Sequence, residues 1–454
     1  MQKVTEIFIA NTAEAFADLL ELETSEKLAQ QERIEHETDL SQRAQFWGGD
    51  NKVVITPYAI PSVLLESVRH RLGYTNVTNL WPTKSGLRLC SAISSDAVLI
   101  DSLVEIIRAN PGMRISSYAV TTEYADLLRL FKKRADDCYA VNMPLVQDPV
   151  QLVRTFDSKN GFREITADLF SIGDVRIPRG FICKTEAEVL KAILEFRVGN
   201  RGFVVKVHNG ESGWGVKIVD DDTVQKLEHA DMGAWLGDLF RSDPIWEFAP
   251  YIVEEFVSVD TSVGGGFPSG EGHITERGFV FDYNCGQGVT SEGVFEGVAI
   301  GTGVLPDAVD ERITRAMEKI GSKYYASGYR GTFDIDFVAA AGGDLYAIEC
   351  NARMTGGSHV YGVMSHLKLN MRESCILSDD ALCYGIVARK PEKILTLLSD
   401  LLYPIQKEKR GVIVSFINEK RPVIGVIAIG ENRADARFLI SKVRDSLEVS
   451  QVIN

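Results

Sequence analysis

Several features that would sort this chain quickly are missing. No apolar run reaches the ~18 residues needed to cross a bilayer, so no membrane span is expected. The seven cysteines, Cys90, Cys138, Cys183, Cys285, Cys350, Cys375 and Cys383, are scattered, odd in number and form no CxxC pair. That spacing argues against a zinc site and a disulfide framework, and for a reducing compartment. The opening MQKVTEIFIANTAEAFADLL has no basic flank and no small-residue cleavage site. It reads as mature protein rather than a leader, so a cytoplasmic location is expected. A net charge of −14 leaves no broad basic face. This excludes an extended nucleic-acid contact, though not a single nucleotide held by a local cluster of cations. No G-x-G-x-x-G follows the first strand expected after Asn51, and no GK[ST] opens a helix, so the dinucleotide fingerprint and the Walker loop are both absent. There is no internal repeat and no low-complexity tract.

What remains is an ordinary globular composition, with 45% hydrophobic and 25% charged residues in 454 positions, enough for roughly three domains. The first twenty residues read as an amphipathic helix, and residues 21–45 as a polar helix or mobile arm. From Asn51 strands and helices alternate. KVVITPY is a strand and Pro61 to Arg71 a helix. A short strand runs from Asn76 to Leu80, a helix from Asp96 to Ala109 and a strand from Arg114 to Val120. Thr122 is positioned to cap a helix reaching Arg134. Such alternation predicts a small parallel α/β unit over residues 50–140. Further on, Gly264 to Gly303 suggests antiparallel strands. Gly411 to Ile417 and Val423 to Ile429 form a hairpin before a helix from Arg433 to Leu447, which predicts a C-terminal lobe.

The richest segment is Gly331 to His359, GTFDIDFVAAAGGDLYAIECNARMTGGSH. Two apolar-rich runs flank a turn at Gly342-Gly343-Asp344, the pattern of a β-hairpin. Asp336 lies on the first run. Glu349 and Asn351 close the second at i, i+2 and share a strand face. Three oxygen-bearing side chains gathered at one hairpin end suit Mg²⁺ completed by water and phosphate oxygens, and Arg353 adds a cation beside them. Taken alone, the set fits a solvated turn equally well.

Upstream, Lys206 ends the strand FVVK, and Gly210, Gly213 and Gly215 lie in the loop after it. Glycines let backbone amides approach an anion while the lysine supplies charge. The plain alternative is a strand–turn–strand with an exposed lysine. Glu254 and Glu255 are adjacent acids in the strand IVEEFV, which Asp260 follows. Its backbone suits an adenine and Asp260 a ribose, against an edge strand with solvated acids. Lys159, in FDSKNGFRE, carries little information by itself. His359 and the run Cys285 to Gly297 either face a substrate cleft or are structural.

The order DSK, FVVK with a glycine loop, IVEEFVSVD, FDIDF and ECNAR resembles the ATP-grasp superfamily of carboxylate–amine ligases over Asn142 to Gly362. The flanking units are similar to the PGM1-type peptide ligases with a pre-ATP-grasp domain. The resemblance implies an α/β ATP-grasp fold divided into residues 1–140 (pre-ATP-grasp domain), 141–260 (small lobe with lid), 261–395 (large lobe with Mg²⁺ site) and 396–454 (C-terminal lobe). It implies that Lys159 and Lys206 contact ATP phosphates, and that Gly210, Ser212, Gly213 and Gly215 form a lid. Glu254, Glu255 and Val257 would line the adenine pocket and Asp260 would hold the ribose. Asp336, Glu349 and Asn351 would bind Mg²⁺, or Mn²⁺ in its place, and Arg353 would stabilise the transferred phosphoryl group. Trp214 stands where the family commonly has a small residue. The implied activity is ATP-dependent joining of a small-molecule carboxylate to an amine, an amino acid or peptide, through an acylphosphate. No nucleic-acid or membrane partner is implied, and the N-terminal helices offer a surface for a homodimer. A carboxylase-type acceptor and an inactive nucleotide-binding module are the alternatives.

Overall fold

A computed structural model describes residues 3–22, 27–135, 138–144, 146–170, 174–199, 201–210, 213–227, 231–289 and 295–449. Three sheets organise it. The first contains β1 (Glu6–Ile9), β2 (Lys52–Ile55), β3 (Val77–Leu80), β4 (Arg114–Ser117) and β5 (Ala140–Val141). Its order is β3-β2-β1-β4-β5 and all its pairs are parallel. The strand β1 is central here, and the expected first amphipathic helix is confined to two short turns after it, Thr12–Ala15 and Ala17–Leu20. EIFI has no polar face because this sheet is covered on both sides, with Ile7 and Ile9 in one core cluster and Phe8 in another. The helix Thr122–Ala135 begins at Thr122, and the Thr121 hydroxyl caps it by accepting from the Tyr124 amide at 3.0 Å.

The second sheet holds β6 (Gly180–Cys183), β7 (Phe203–Val207), β8 (Val216–Val219) and β9 (Tyr251–Glu255), in antiparallel order β6-β9-β7-β8. The strand carrying Glu254 is therefore interior, not an edge. The segment VRTFDSKNGFREI, which reads as helical throughout, forms parts of two helices, Pro149–Asp157 and Lys159–Thr166, broken at Ser158. Ser158 adopts extended backbone and its hydroxyl accepts from the Gly161 amide at 3.2 Å.

The third sheet is antiparallel throughout: β10 (Pro268–Thr275), β11 (Gly278–Val289), β12 (Phe295–Gly301), β13 (Gly331–Ala339), β14 (Leu345–Asn351), β15 (Cys375–Cys383), β16 (Gly411–Ile417) and β17 (Val423–Gly430). Its order is β14-β13-β10-β11-β12-β15-β17-β16. The expected C-terminal hairpin and helix are present, but β15 joins them to the same sheet as the Asp336 hairpin. Residues 27–46 form a helix, Lys27–Leu40, and a 3₁₀ turn, Ser41–Phe46, packed within the chain. Gln42 pairs with both backbone groups of Ile417, and Gln45 donates to the Ser415 carbonyl at 3.2 Å. Those bonds cover the open edge of β16. No helix among the described residues is long and apolar enough to cross a membrane.

Candidate active site

Strand register builds the acidic edge. In the β13–β14 pair, Asp334 lies opposite Asn351 and Asp336 opposite Glu349. Phe333, Ile335 and Phe337 point the other way into the core, so the polar face follows from the pleat. The neighbouring β10 adds Ser269, whose hydroxyl donates to Asp334, and β11 adds Gln287, whose amide donates to Asp336. Asn351 Nδ2 donates to Asp334 Oδ1 at 2.7 Å and to Asp336 Oδ2 at 3.0 Å.

Two lysines stand beside this edge, Lys159 on a helix packed against β14 and Lys206 on β7 of the second sheet. Lys159, buried at 6% exposure, places its Nζ 2.7 Å from Glu349 Oε2 and 2.7 Å from the Gly210 carbonyl oxygen. Lys206 pairs with Glu254, and Arg163 Nη1 holds the second Glu254 oxygen at 3.0 Å. Glu254 is thus committed to two cations, and its side chain is withdrawn from the expected adenine contact. Glu255 accepts from the Arg179 amide at 2.8 Å, which occupies that side chain as well. Asp260 closes a turn by accepting from the Ser262 amide at 3.0 Å and its hydroxyl at 2.6 Å. Those bonds hold its carboxyl below the ordinary range.

Gly210, Gly213 and Gly215 connect β7 to β8. Gly213 and Gly215 have φ of 81° and 77°, in the left-handed region. A Cβ on Gly215 would lie 2.4 Å from Val207 Cγ2. Ser212 lies outside the described residues. Trp214 donates from its indole to Asp243 at 3.1 Å, and the Arg33 guanidinium sits 4.8 Å from its ring centroid. Arg353 donates to Asn351 Oδ1 at 3.0 Å and lies 4.8 Å from the Phe16 ring centroid, over the ring.

The charges are strongly interdependent. Burial raises the Asp336 carboxyl well above its usual value, and repulsion from Asp334 and Glu349 raises it further. Asp334 is pushed up to about 7, by burial first, against its bonds from Ser269 and Asn351. Burial pulls Glu349 upward too, but Lys159, Lys206 and Arg353 outweigh it and leave the group below its ordinary value. A hard divalent cation between Asp336 and Glu349 would relieve that repulsion. Among the described residues no three Asp, Glu, His or Cys side chains can hold such an ion unaided. The residues fit a cation completed by phosphate oxygens and water. Asn351 is the exception among the expected ligands: it turns its amide nitrogen to the acids and its oxygen to Arg353.

The expected residues Lys159, Lys206, Asp336, Glu349, Asn351 and Arg353 therefore converge, with Gly210 tied in through Lys159. Asp334, Ser269 and Arg163 belong to the same network and were missed, while Gln287 comes from the run Cys285 to Gly297 expected to face a cleft or be structural. The FDIDF pattern carried a signal for Asp334, which shares a strand face with Asp336. Arg163 and Gln287 reach the site only through tertiary packing.

No family-level sequence description matches the chain. It is 29% identical over 314 residues to the L-propargylglycine–L-glutamate ligase of Streptantibioticus cattleyicolor. That match takes in 65% of this chain and 58% of the relative, so the chain spans less than two thirds of that protein's length. Among solved structures, an N5-carboxyaminoimidazole ribonucleotide synthetase in complex with ADP superposes with a TM-score of 0.54 at 12% identity, covering 97% of this chain and 96% of that one. The N5-carboxyaminoimidazole synthetase of Staphylococcus aureus complexed with ADP gives 0.52 at 12% identity, over 99% and 98%. The biotin carboxylase of Campylobacter jejuni gives 0.51 at 11% identity, over 98% and 92%.

Proposed function

The chain has the ATP-grasp fold, and on that frame we propose that it is an ADP-forming ligase joining a small-molecule carboxylate to an amine. The observation that carries the reading is the position of Lys159, bonded at once to Glu349 on the large sheet and to the glycine turn at Gly210. A cation at that junction suits a triphosphate lying between the turn and the acidic edge. The curated relative's activity supports the amide-forming version of the chemistry.

In the reaction, a carboxylate oxygen attacks the γ-phosphorus of ATP and the bond to ADP breaks, giving an acylphosphate. An amine then attacks the acyl carbon, phosphate leaves, and the nitrogen loses a proton as the amide forms. Lys159 and Lys206 orient and neutralise the phosphates, and Arg353 steadies charge on the group in transfer. Glycines 210, 213 and 215 let the turn approach the triphosphate, and its closure excludes water that would hydrolyse the acylphosphate. The backbone from Glu254 to Val257 borders the adenine and Asp260 takes the ribose. Asp336 and Glu349 would hold Mg²⁺ or Mn²⁺, with Asn351 joining after its amide turns, and that ion supplies charge neutralisation on the phosphates. A cytoplasmic, reducing setting is part of this reading, supported by seven cysteines that are all free thiols.

The test is ADP release from ATP and Mg²⁺ with paired L-amino acids, with products identified by mass spectrometry. A coupled product and ADP in equal amounts are expected, and both disappear on chelating the metal. ADP release unaffected by any carboxylate or amine would overturn the reading.

A further inference from the structure

The first sheet reaches the candidate site through two aromatic residues. Its chain runs from β1 outward through β2 to β3, then returns on the other side of β1 as β4. The C-terminal ends of β1 and β4 therefore flank a switch point, the place where open parallel sheets hold their ligands. Phe16 follows β1, between the turns Thr12–Ala15 and Ala17–Leu20, and Tyr118 directly follows β4. The Tyr118 amide donates to the Ile9 carbonyl at 3.1 Å, which ties the two strand ends together. What lies against these rings is an arginine from beyond β14: the Arg353 guanidinium is 4.8 Å from the Phe16 ring centroid and 5.9 Å from that of Tyr118.

The rings are themselves held. Phe16 packs edge-on to Tyr118 with centroids 6.4 Å apart. Trp47 stacks on Tyr118 at 5.9 Å, and Phe8 on β1 packs edge-on to Trp47 at 6.1 Å. Phe8, Phe16 and Trp47 are all buried, so a ladder of rings rooted in the sheet core backs one guanidinium. Arg353 also donates to Asn351 Oδ1 at 3.0 Å and to the Met354 carbonyl at 3.4 Å, which belong to its own segment and move with it. The rings belong to a different sheet, as does the Tyr118 carbonyl, which accepts from the Met354 amide at 3.0 Å. They fix the arginine relative to the rest of the molecule. The Arg353 side chain is 12% exposed, and attraction between a flat guanidinium and an aromatic face strengthens where water is excluded.

We propose that Phe16 and Tyr118 are positioning residues for Arg353, holding its guanidinium in the orientation that meets the phosphoryl group in transfer. The inference deepens the ligase reading and rests on it for what Arg353 does. Neither ring has to touch substrate, since each acts through the arginine. A charge displaced by about 1 Å loses much of its hold on a transition state, so a cradle that fixes it is felt in the rate. The N-terminal sheet thereby contributes to the chemistry through a side chain that belongs to another sheet.

The experiment is a double-mutant cycle on ADP formation by the full chain with Mg²⁺ and paired L-amino acids, followed with radiolabelled ATP so that slow variants still give a rate. Phe16→Leu keeps apolar bulk and removes the aromatic face. It is expected to lower kcat about fivefold or more, with KM for ATP within about twofold of the wild type. In an Arg353→Met background no cation remains to be placed, and the same change is expected to lower kcat by less than about twofold. Tyr118→Leu keeps the backbone bond to Met354 and gives a second cycle with the same expected pattern, which stands in if Phe16→Leu does not fold. Equal losses with and without Arg353 would mean that the rings serve the fold alone and would overturn the proposal, as would a raised KM with kcat unchanged. A wild type that releases ADP but couples no amide would overturn the ligase reading alone, and the cycle would still be read on that ADP; a wild type that releases none would overturn both.

Discussion

Glu349 and Glu254 show how much one carboxylate depends on its partners. Glu349 faces Lys159 at 2.7 Å on the acidic edge. Glu349→Ala should cut ADP formation by about two orders of magnitude or more, because metal and charge positioning supply several kcal/mol at the transition state. The variant should melt as a folded protein, and near-normal turnover would refute the assignment. Glu254 has a different task. It is buried between Lys206 and Arg163, so Glu254→Gln leaves two cations without their counter-charge. A loss of about 3–5 kcal/mol is expected in denaturant titrations, as for other broken buried pairs. Its neighbour in IVEEFV, Glu255, looks interchangeable with Glu254 as text, yet it accepts from the Arg179 amide instead of pairing with the two cations. Their different fates follow from which face of an interior strand each occupies.

At the scale of elements, the glycine turn and the loop before the helix Ser358–His366 make separate predictions. Gly215→Ala puts a Cβ against Val207 Cγ2 and Ile245 Cγ1 in a left-handed conformation. A cost of about 1–3 kcal/mol is expected by thermal melting. Glu271, on β10, accepts from the hydroxyls of Thr355 and Ser358, each at 2.7 Å. Burial pushes its carboxyl from 4.5 up to about 7. The folded state therefore holds a proton that the unfolded state has released, and this group lowers stability as pH rises from 4.5 toward 7. Melting temperatures of Glu271→Gln should fall less than those of the wild type across that window; parallel curves would count against it. The hairpin from Gly331 was legible because alternation and a glycine turn coincide in it. The break at Ser158 was not, since a capping serine inside an amphipathic run looks like one more polar position.

In the whole molecule, the two ends of the chain complete each other. Residues 41–46 lie along β16, with Gln42 bonded to Ile417 and Asp39 accepting from Asn418 at 2.5 Å. Gln42→Ala should lower global stability by about 1–3 kcal/mol, since a buried amide and carbonyl lose their partners. A melt unchanged within half a degree would mean the edge is covered without it. The sequence by itself determined the element types wherever periodicity was clean, and the two lysines, the glycines and the ECNAR edge as one set in order. Strand period and side-chain chemistry are local, so they can be read without coordinates. Only the tertiary structure decided that β1 is a central strand, that one sheet runs from Asp336 to the C-terminal hairpin, and that Arg163 reaches Glu254. Those outcomes depend on contacts between residues dozens to hundreds of positions apart, and no local pattern records which distant surface a side chain will meet.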